Sequence, residues 1–244
     1  MSWQAPRRSV IARLRNSWIR QRRARFYAQF MRRGDYCFDV GAHLGRKLEL
    51  FASLGVRVLA VEPDQSCVES LRQDFGALER VEIVATGLSA DGRDIRFWLN
   101  KEHPEMSSFS TAFIDACDDY FGDARHQWHE SQPIATTTLD ALIAEYGLPD
   151  FCKLDVEGFE DEVLNGLSQP IHHICFEYLA FCPQPALAAV EKLAGLSNYE
   201  FNFSYSEDTG LVMNRWCPAA DLLRYLKTAP ASAPVGCDIH ARLA

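Results

Sequence analysis

The chain has no run of about 18 apolar residues, so no segment of it reads as a bilayer-spanning helix. Its N-terminal arginines are not followed by the apolar stretch of a secretory signal. Both absences point to a cytoplasmic protein. No Cys-x-x-Cys pair occurs among the cysteines at 37, 67, 117, 152, 175, 182, 217 and 237, which argues against a zinc site and a disulfide framework and for buried free thiols. No internal repeat is present. Residues 1–33 hold no acid and no lysine but ten arginines; with a net charge of −8 overall, the remainder carries −18. What is there is ordinary for a folded protein. Over 244 residues, 48% are hydrophobic and 24% charged, enough for one α/β domain burying roughly 70–75% of its unfolded surface.

Val10, Ile11, Leu14 and Trp18, then Phe26, Phe30 and Met31, recur near helical spacing, with Arg13, Arg15, Arg20, Arg22, Arg23 and Arg25 between them. Residues 1–33 therefore read as a basic amphipathic extension of one or two helices. Such a helix packs its apolar stripe on the main domain, or brings residues 7–33 against an anionic membrane surface or another anionic partner.

From Gly34 strands and helices alternate: strand 36–40, helix 45–54, strand 57–61, helix 66–75, strand 81–85. That pattern predicts a mostly parallel sheet with helices on both faces. An insertion of about 95–135 follows, with a strand at 95–100 and then a polar and aromatic excursion over 101–135 of the kind that forms lids and binding loops. Order resumes with helix 138–146, strand 151–156, helix 160–166 and strand 171–177. A helix starting near Pro185, an antiparallel pair at 201–205 and 211–214, and a helix at 221–226 complete a domain spanning 34–228. The Ala- and Pro-rich tail, 229–244, is expected to be loosely ordered.

Asp39-Val40-Gly41-Ala42-His43-Leu44-Gly45 follows a strand and opens a helix, the setting in which a close backbone turn admits a nucleotide-like cofactor. A dinucleotide fingerprint starting at Gly41 needs glycines at 43 and 46, where His43 and Arg46 stand; a pyrophosphate cradle is disfavoured. Glu62, 21 residues after Gly41 at the end of the second strand, is placed to accept hydrogen bonds from ribose hydroxyls. Asp39 suits the cationic groups of S-adenosylmethionine and repels a pyrophosphate. Standing alone, each acid reads equally well as a helix cap or a solvent contact.

A second constellation, Lys153-Leu154-Asp155-Val156-Glu157-Gly158-Phe159-Glu160, also runs from a buried strand into a helix. In an open α/β sheet that strand end faces the same crevice, so Asp155 and Glu157 are candidates for taking a proton from an acceptor hydroxyl. Glu160 reads better as a helix-terminus acid. His103, His126 and His129 fall in the excursion, and His172 and His173 begin a strand; loop histidines of this kind are usually solvated. Asp155, Glu157 and Glu177 show no compact ligand spacing, and no metal is expected.

With Thr137-Thr138-Leu139-Asp140 upstream, Phe151–Leu167 as FCKLDVEGFEDEVLNGL, Ser107-Ser108-Phe109 in the insertion and Phe176-Glu177 at the next strand end, the chain resembles FkbM-type methyltransferases over roughly residues 34–215. The resemblance implies a seven-stranded, Rossmann-like class I methyltransferase fold, S-adenosylmethionine as donor, and a hydroxyl acceptor on a sugar, glycan or natural product. It also implies that Asp39, Gly41 and Gly45 line the methionine side, that Glu62 holds the ribose, that Ala85, Thr86 and Ser89 lie near adenine, and that Asp155 closes the methionine end. Position 43 is often asparagine in that family. His43 here is a candidate for cofactor binding, for the base, or simply for filling the turn. The competing expectations are a membrane-associated scaffold that keeps the fold without turnover, and an RNA ribose methyltransferase. A base methyltransferase is disfavoured because Asp155-Val156-Glu157-Gly158 stands where an Asn/Asp-Pro-Pro-aromatic motif would be, and no DNA partner is expected.

Overall fold

The computed structural model describes residues 10–122, 128–207, 210–228 and 234–244, with side chains from residue 19 onward. Helix α1 (Val10–Tyr27) leads into β1 (Tyr36–Val40), α2 (Arg46–Leu54), β2 (Arg57–Glu62), α3 (Gln65–Phe75) and β3 (Val81–Ala85). The short β4 (Gly87–Leu88), β5 (Ile95–Leu99), α4 (Thr111–Phe121), β6 (Glu130–Ile134) and β7 (Thr136–Thr137) come next. Then follow α5 (Leu139–Tyr146), β8 (Phe151–Leu154), α6 (Glu160–Asn165), β9 (His173–Leu179), α7 (Gln184–Leu196), β10 (Tyr199–Ser204), α8 (Ala219–Thr228) and β11 (Gly236–Leu243).

Seven strands form one sheet in the order β10-β11-β9-β8-β1-β2-β3, with β11 alone antiparallel to its neighbours. The mostly parallel sheet is the one expected. β1 and β8 are buried along their whole length, as central strands covered on both faces must be. Alternate residues serve alternate faces. Phe38, Val40, Leu154, Phe176 and Ile239 pack with Leu142, Val163, Val190 and Leu222 of α5 to α8, whereas Cys37, Val58 and Phe151 pack with Phe26 and Tyr27 of α1 and Leu48 and Phe51 of α2.

Local chemistry sets the boundaries. Gly55 ends α2 in the left-handed conformation, and the Asp64 carboxylate caps α3 by accepting from the Ser66 and Cys67 amides. Among the described residues the N-terminal segment forms one helix, α1, and its end belongs to the domain: Phe26 and Tyr27, with Met31 just beyond, are buried. It is pinned by Glu207, which accepts from the Tyr27 hydroxyl (3.0 Å), pairs with Arg23 (3.0 Å) and contacts the Lys47 ammonium of α2.

Three expectations are corrected. The excursion 101–135 contains α4, capped by the Ser110 hydroxyl, a 3-10 turn at Pro104–Met106 and β6, paired antiparallel with β5. Residues 211–214 are not a strand; the Asn202 side chain holds them, donating to the Met213 carbonyl (2.9 Å) and accepting its amide (3.1 Å), while β10 pairs with β11. And the expected tail supplies β11 inside the sheet. Its alternation of Cys237, Ile239 and Ala241 fits one core face, a signal obscured by the Ala/Pro stretch before it. Residues 229–233 lie outside the described residues, as does His126. Seven of the eight free cysteines are buried and Cys182 is half-buried. Among the described residues no helix is long and apolar enough to cross a membrane.

Candidate active site

The carboxyl ends of β1, β2 and β8 open onto a cleft of about 580 Å³. Its base is the turn Gly41–Gly45, where Gly41 (φ 79°), His43 (φ 48°) and Gly45 (φ 80°) all take the left-handed conformation. A Cβ on Gly41 would sit 1.9 Å from the Asp155 carbonyl oxygen, so only glycine lets the ends of β1 and β8 meet there. Gly45 serves packing: its missing Cβ leaves room for Phe75 and Leu71 of α3.

Glu62 ties two loops together. One carboxylate oxygen accepts the His43 amide and the other the Asp64 amide, both at 2.8 Å, each keeping a lone pair for a further donor. Burial pushes its pKa up to about 7 against the pull of those amides. The adjoining wall is apolar, built by Val61, Leu88, Phe97, Phe109 and Phe159, with Thr86 at its edge. Pro104, Glu105 and Ser107 close the mouth, and Glu105 pairs with His103 at 3.5 Å. Burial lowers the pKa of His43, and its Nε2 is buried without a hydrogen-bond partner.

At the far end, Asp155 donates its amide to the Val40 carbonyl (2.9 Å), and the chain then turns through Glu157 (φ 50°) and Gly158 (φ 81°). The Ser108 hydroxyl donates to the Glu157 carbonyl (2.7 Å), and α4 presses so closely that a Cβ on Gly158 would lie 2.6 Å from that of Phe113. Asp155, Glu157 and Glu177 bring carboxylate oxygens within 4.8 Å of one another, a proximity that their spacing along the chain hides. Burial, and then the neighbouring acids, raise Glu177 to about 8 and Glu157 well above the carboxylate range. Beneath them lies buried Lys153, 3.0 Å from Asp238 and 3.5 Å from Asp155. Burial works against its charge, but Asp155 and Asp238 outweigh it and hold the ammonium well above its ordinary pKa. Asp238, though buried, is kept below the usual carboxylate range by Lys153.

Of the residues singled out from sequence, Gly41, His43, Glu62, Thr86, Asp155 and Glu157 line the cleft. Asp39, Gly45, Ala85 and Ser89 do not. Asp39 is buried one step behind the turn with Oδ2 unpartnered, and burial, then Asp155, raise its pKa to about 7. The Ser89 hydroxyl is taken up by Thr136 (2.6 Å) and the Gly92 amide (3.0 Å), so it braces a turn. Glu160 folds back to accept the Gly158 amide at 3.3 Å. His129 and His172 are exposed, and His173 is buried away from the cleft. Sequence reasoning missed the pairing of Lys153 with Asp238, 85 residues apart, and Glu105, whose segment carried no regular pattern.

The methyltransferase FkbM domain model matches residues 39–205, which hold both turns, Glu62 and the acid cluster. The chain belongs to the FkbM methyltransferase family. It is thus a methyltransferase with a class I fold and S-adenosylmethionine as donor. No curated protein sequence matches it. Solved structures similar to this methyltransferase include a TehB-like SAM-dependent methyltransferase from Corynebacterium glutamicum, at 14% identity over 96% of each chain (TM-score 0.48). A precorrin-6y C5,15-methyltransferase from Geobacter metallireducens matches at 10% identity over 91% of this chain and 86% of that one (TM-score 0.49). The plantazolicin methyltransferase BpumL, solved with a triazolic desmethylPZN analog and SAH, matches at 10% identity over 92% and 84% (TM-score 0.42). In this FkbM methyltransferase the cleft combines hydrogen-bond acceptors and an apolar wall with a cluster of closely spaced carboxyl groups.

Proposed function

We propose that this methyltransferase transfers a methyl group to a hydroxyl oxygen of an uncharged sugar, glycan or natural-product acceptor. The observation that carries the reading is the convergence of Asp155 and Glu157, which line the cleft with Glu62, and Glu177, whose carboxylate lies within 4.8 Å of theirs. Glu62 takes the ribose hydroxyls on its free lone pairs, and Val61, Leu88, Phe97 and Phe109 receive the adenine beside Thr86. Gly41, His43 and Asp155 bound the methionine side, with Asp39 contributing charge from behind the turn. S-adenosylmethionine supplies an electrophilic methyl group on a cationic sulfur.

Carboxyls that burial keeps protonated ionise beside a cation, so Glu157 and Glu177 become proton acceptors when positive charge enters the cleft. The acceptor oxygen then forms its bond to the methyl carbon as the carbon–sulfur bond breaks, and its proton passes to a carboxylate. Anionic acceptors, including an RNA backbone, meet repulsion from Glu105, Asp155 and Glu157. Incubation with methyl-labelled donor and a panel of hydroxyl-bearing glycosides and natural products tests the reading. Label is expected in an alkali-stable methyl ether, and Glu157→Gln should slow its formation by about 10²- to 10⁴-fold. Label found only on nitrogen, on carbon or in an alkali-labile ester would overturn it.

A further inference from the structure

The arginine-rich segment is absorbed neither by the cleft nor by the methyl-transfer reading. Its apolar side is already occupied: Phe26 packs edge-on against Tyr27, Phe30 and His240, Tyr27 packs against Phe51, and Met31 is buried in the same layer. Away from that side stand Arg22 and Arg25, and past the helix end come Arg32 and Arg33, all exposed and together forming an arginine ridge, while Arg20 faces α2. Arg46 at the start of α2 is exposed beside them, and Glu49 offsets Arg20 at 2.9 Å.

We propose that this arginine ridge seats the enzyme on an anionic bilayer surface by electrostatic contact, without insertion of the described part of α1. The charge distribution sets the orientation. Residues 1–33 carry ten positive charges and no negative one, and the remainder has a net charge of −18, so the body is repelled by an anionic surface and the ridge is the face that approaches it. A nucleic-acid chain is the poorer partner, because a phosphate backbone running from the ridge into the cleft meets Glu105 and Asp155, whereas a bilayer touches only the ridge.

The test is co-sedimentation of the full chain with vesicles containing about 30% phosphatidylglycerol in phosphatidylcholine. Binding is expected to these vesicles and not to pure phosphatidylcholine, and to weaken as salt rises from about 0.1 to about 0.5 M. Substituting Arg22, Arg25, Arg32 and Arg33 together by Gln should lower partitioning by about six hundredfold, at roughly fivefold per arginine. The quadruple variant should bind S-adenosylhomocysteine as the unsubstituted chain does, which shows it folded and keeps this question separate from that of methyl transfer. Equal binding to neutral vesicles, no binding to anionic ones, unchanged binding by the folded variant, or tighter binding to a single-stranded RNA oligomer would each overturn the proposal.

Discussion

Two groups of titratable side chains share one face of the sheet, and the fold treats them in opposite ways. At the strand ends, Asp155, Glu177 and Asp238 follow one another across β8, β9 and β11, with Lys153 as the buried cation among them. Deeper under α1, His173 Nε2 and His240 Nδ1 meet at 3.1 Å, wrapped by Phe26, Phe30, Phe151 and Trp216. Burial lowers both imidazoles, His240 to about 4. That layer is neutral and hydrogen-bonded; at the strand ends burial holds the Glu177 proton, while Lys153 keeps Asp238 ionised. Charge is kept at the strand ends beside the cleft and removed in the layer under α1, where the rings only pack.

The two groups give opposite pH slopes. An acid raised to about 7 or 8 keeps its proton in the folded chain after the unfolded chain has lost it near pH 4 to 4.5, so Asp39, Glu62 and Glu177 make stability fall as pH rises through that window. His240 binds its proton only near pH 4 when folded but near 6.5 when unfolded, so it makes stability rise with pH between those values.

Gly41→Ala should have the largest effect, because its Cβ forces Asp155 away from β1: a loss of about 3 kcal/mol or more by thermal denaturation, with S-adenosylhomocysteine binding abolished. Lys153→Met leaves Asp155 and Asp238 without their cation. Urea unfolding should show a loss of about 3–5 kcal/mol, part of it recovered by adding Asp238→Asn. Glu62→Ala should weaken S-adenosylhomocysteine binding by about 1–3 kcal/mol in calorimetric titration, and unchanged affinity would remove Glu62 from the site. The smallest effect separates the two groups directly. Glu177→Gln should gain about 1 kcal/mol at pH 8 and flatten the decline above pH 6, while His240→Gln should flatten the rise below pH 6.5 and leave the alkaline limb alone.

The sequence-readable part of the site is the part set by local pattern. Gly41, Glu62 and Asp155 each sit where a buried strand enters a turn, and periodicity alone locates such ends. Asp39 and Ser89 satisfy the same pattern, yet one points behind the turn and the other into a hydrogen bond with Thr136. Spacing along a strand does not say which neighbour will claim a side chain. The Lys153–Asp238 pair and the Glu207 knot depend on contacts between segments 85 and up to 180 residues apart, and no local signal announces them. Helix α4 was obscured because its last turn carries Asp118 and Asp119, unfavourable at a helix C-terminus, so its packing rather than its propensity holds it.

The position of β11 has a consequence for how the molecule is made. The strand lies between β9 and β10, and its His240 is packed under Phe26 and Phe30, so helix α1 rests on a strand far along the chain from it. Closing that contact joins segments more than two hundred residues apart and carries a correspondingly large loop-closure entropy. Assembly is therefore late and global: until β11 threads in, β9 and β10 have open edges and α1 lacks part of its seat, so the sheet depends on β11 for completion.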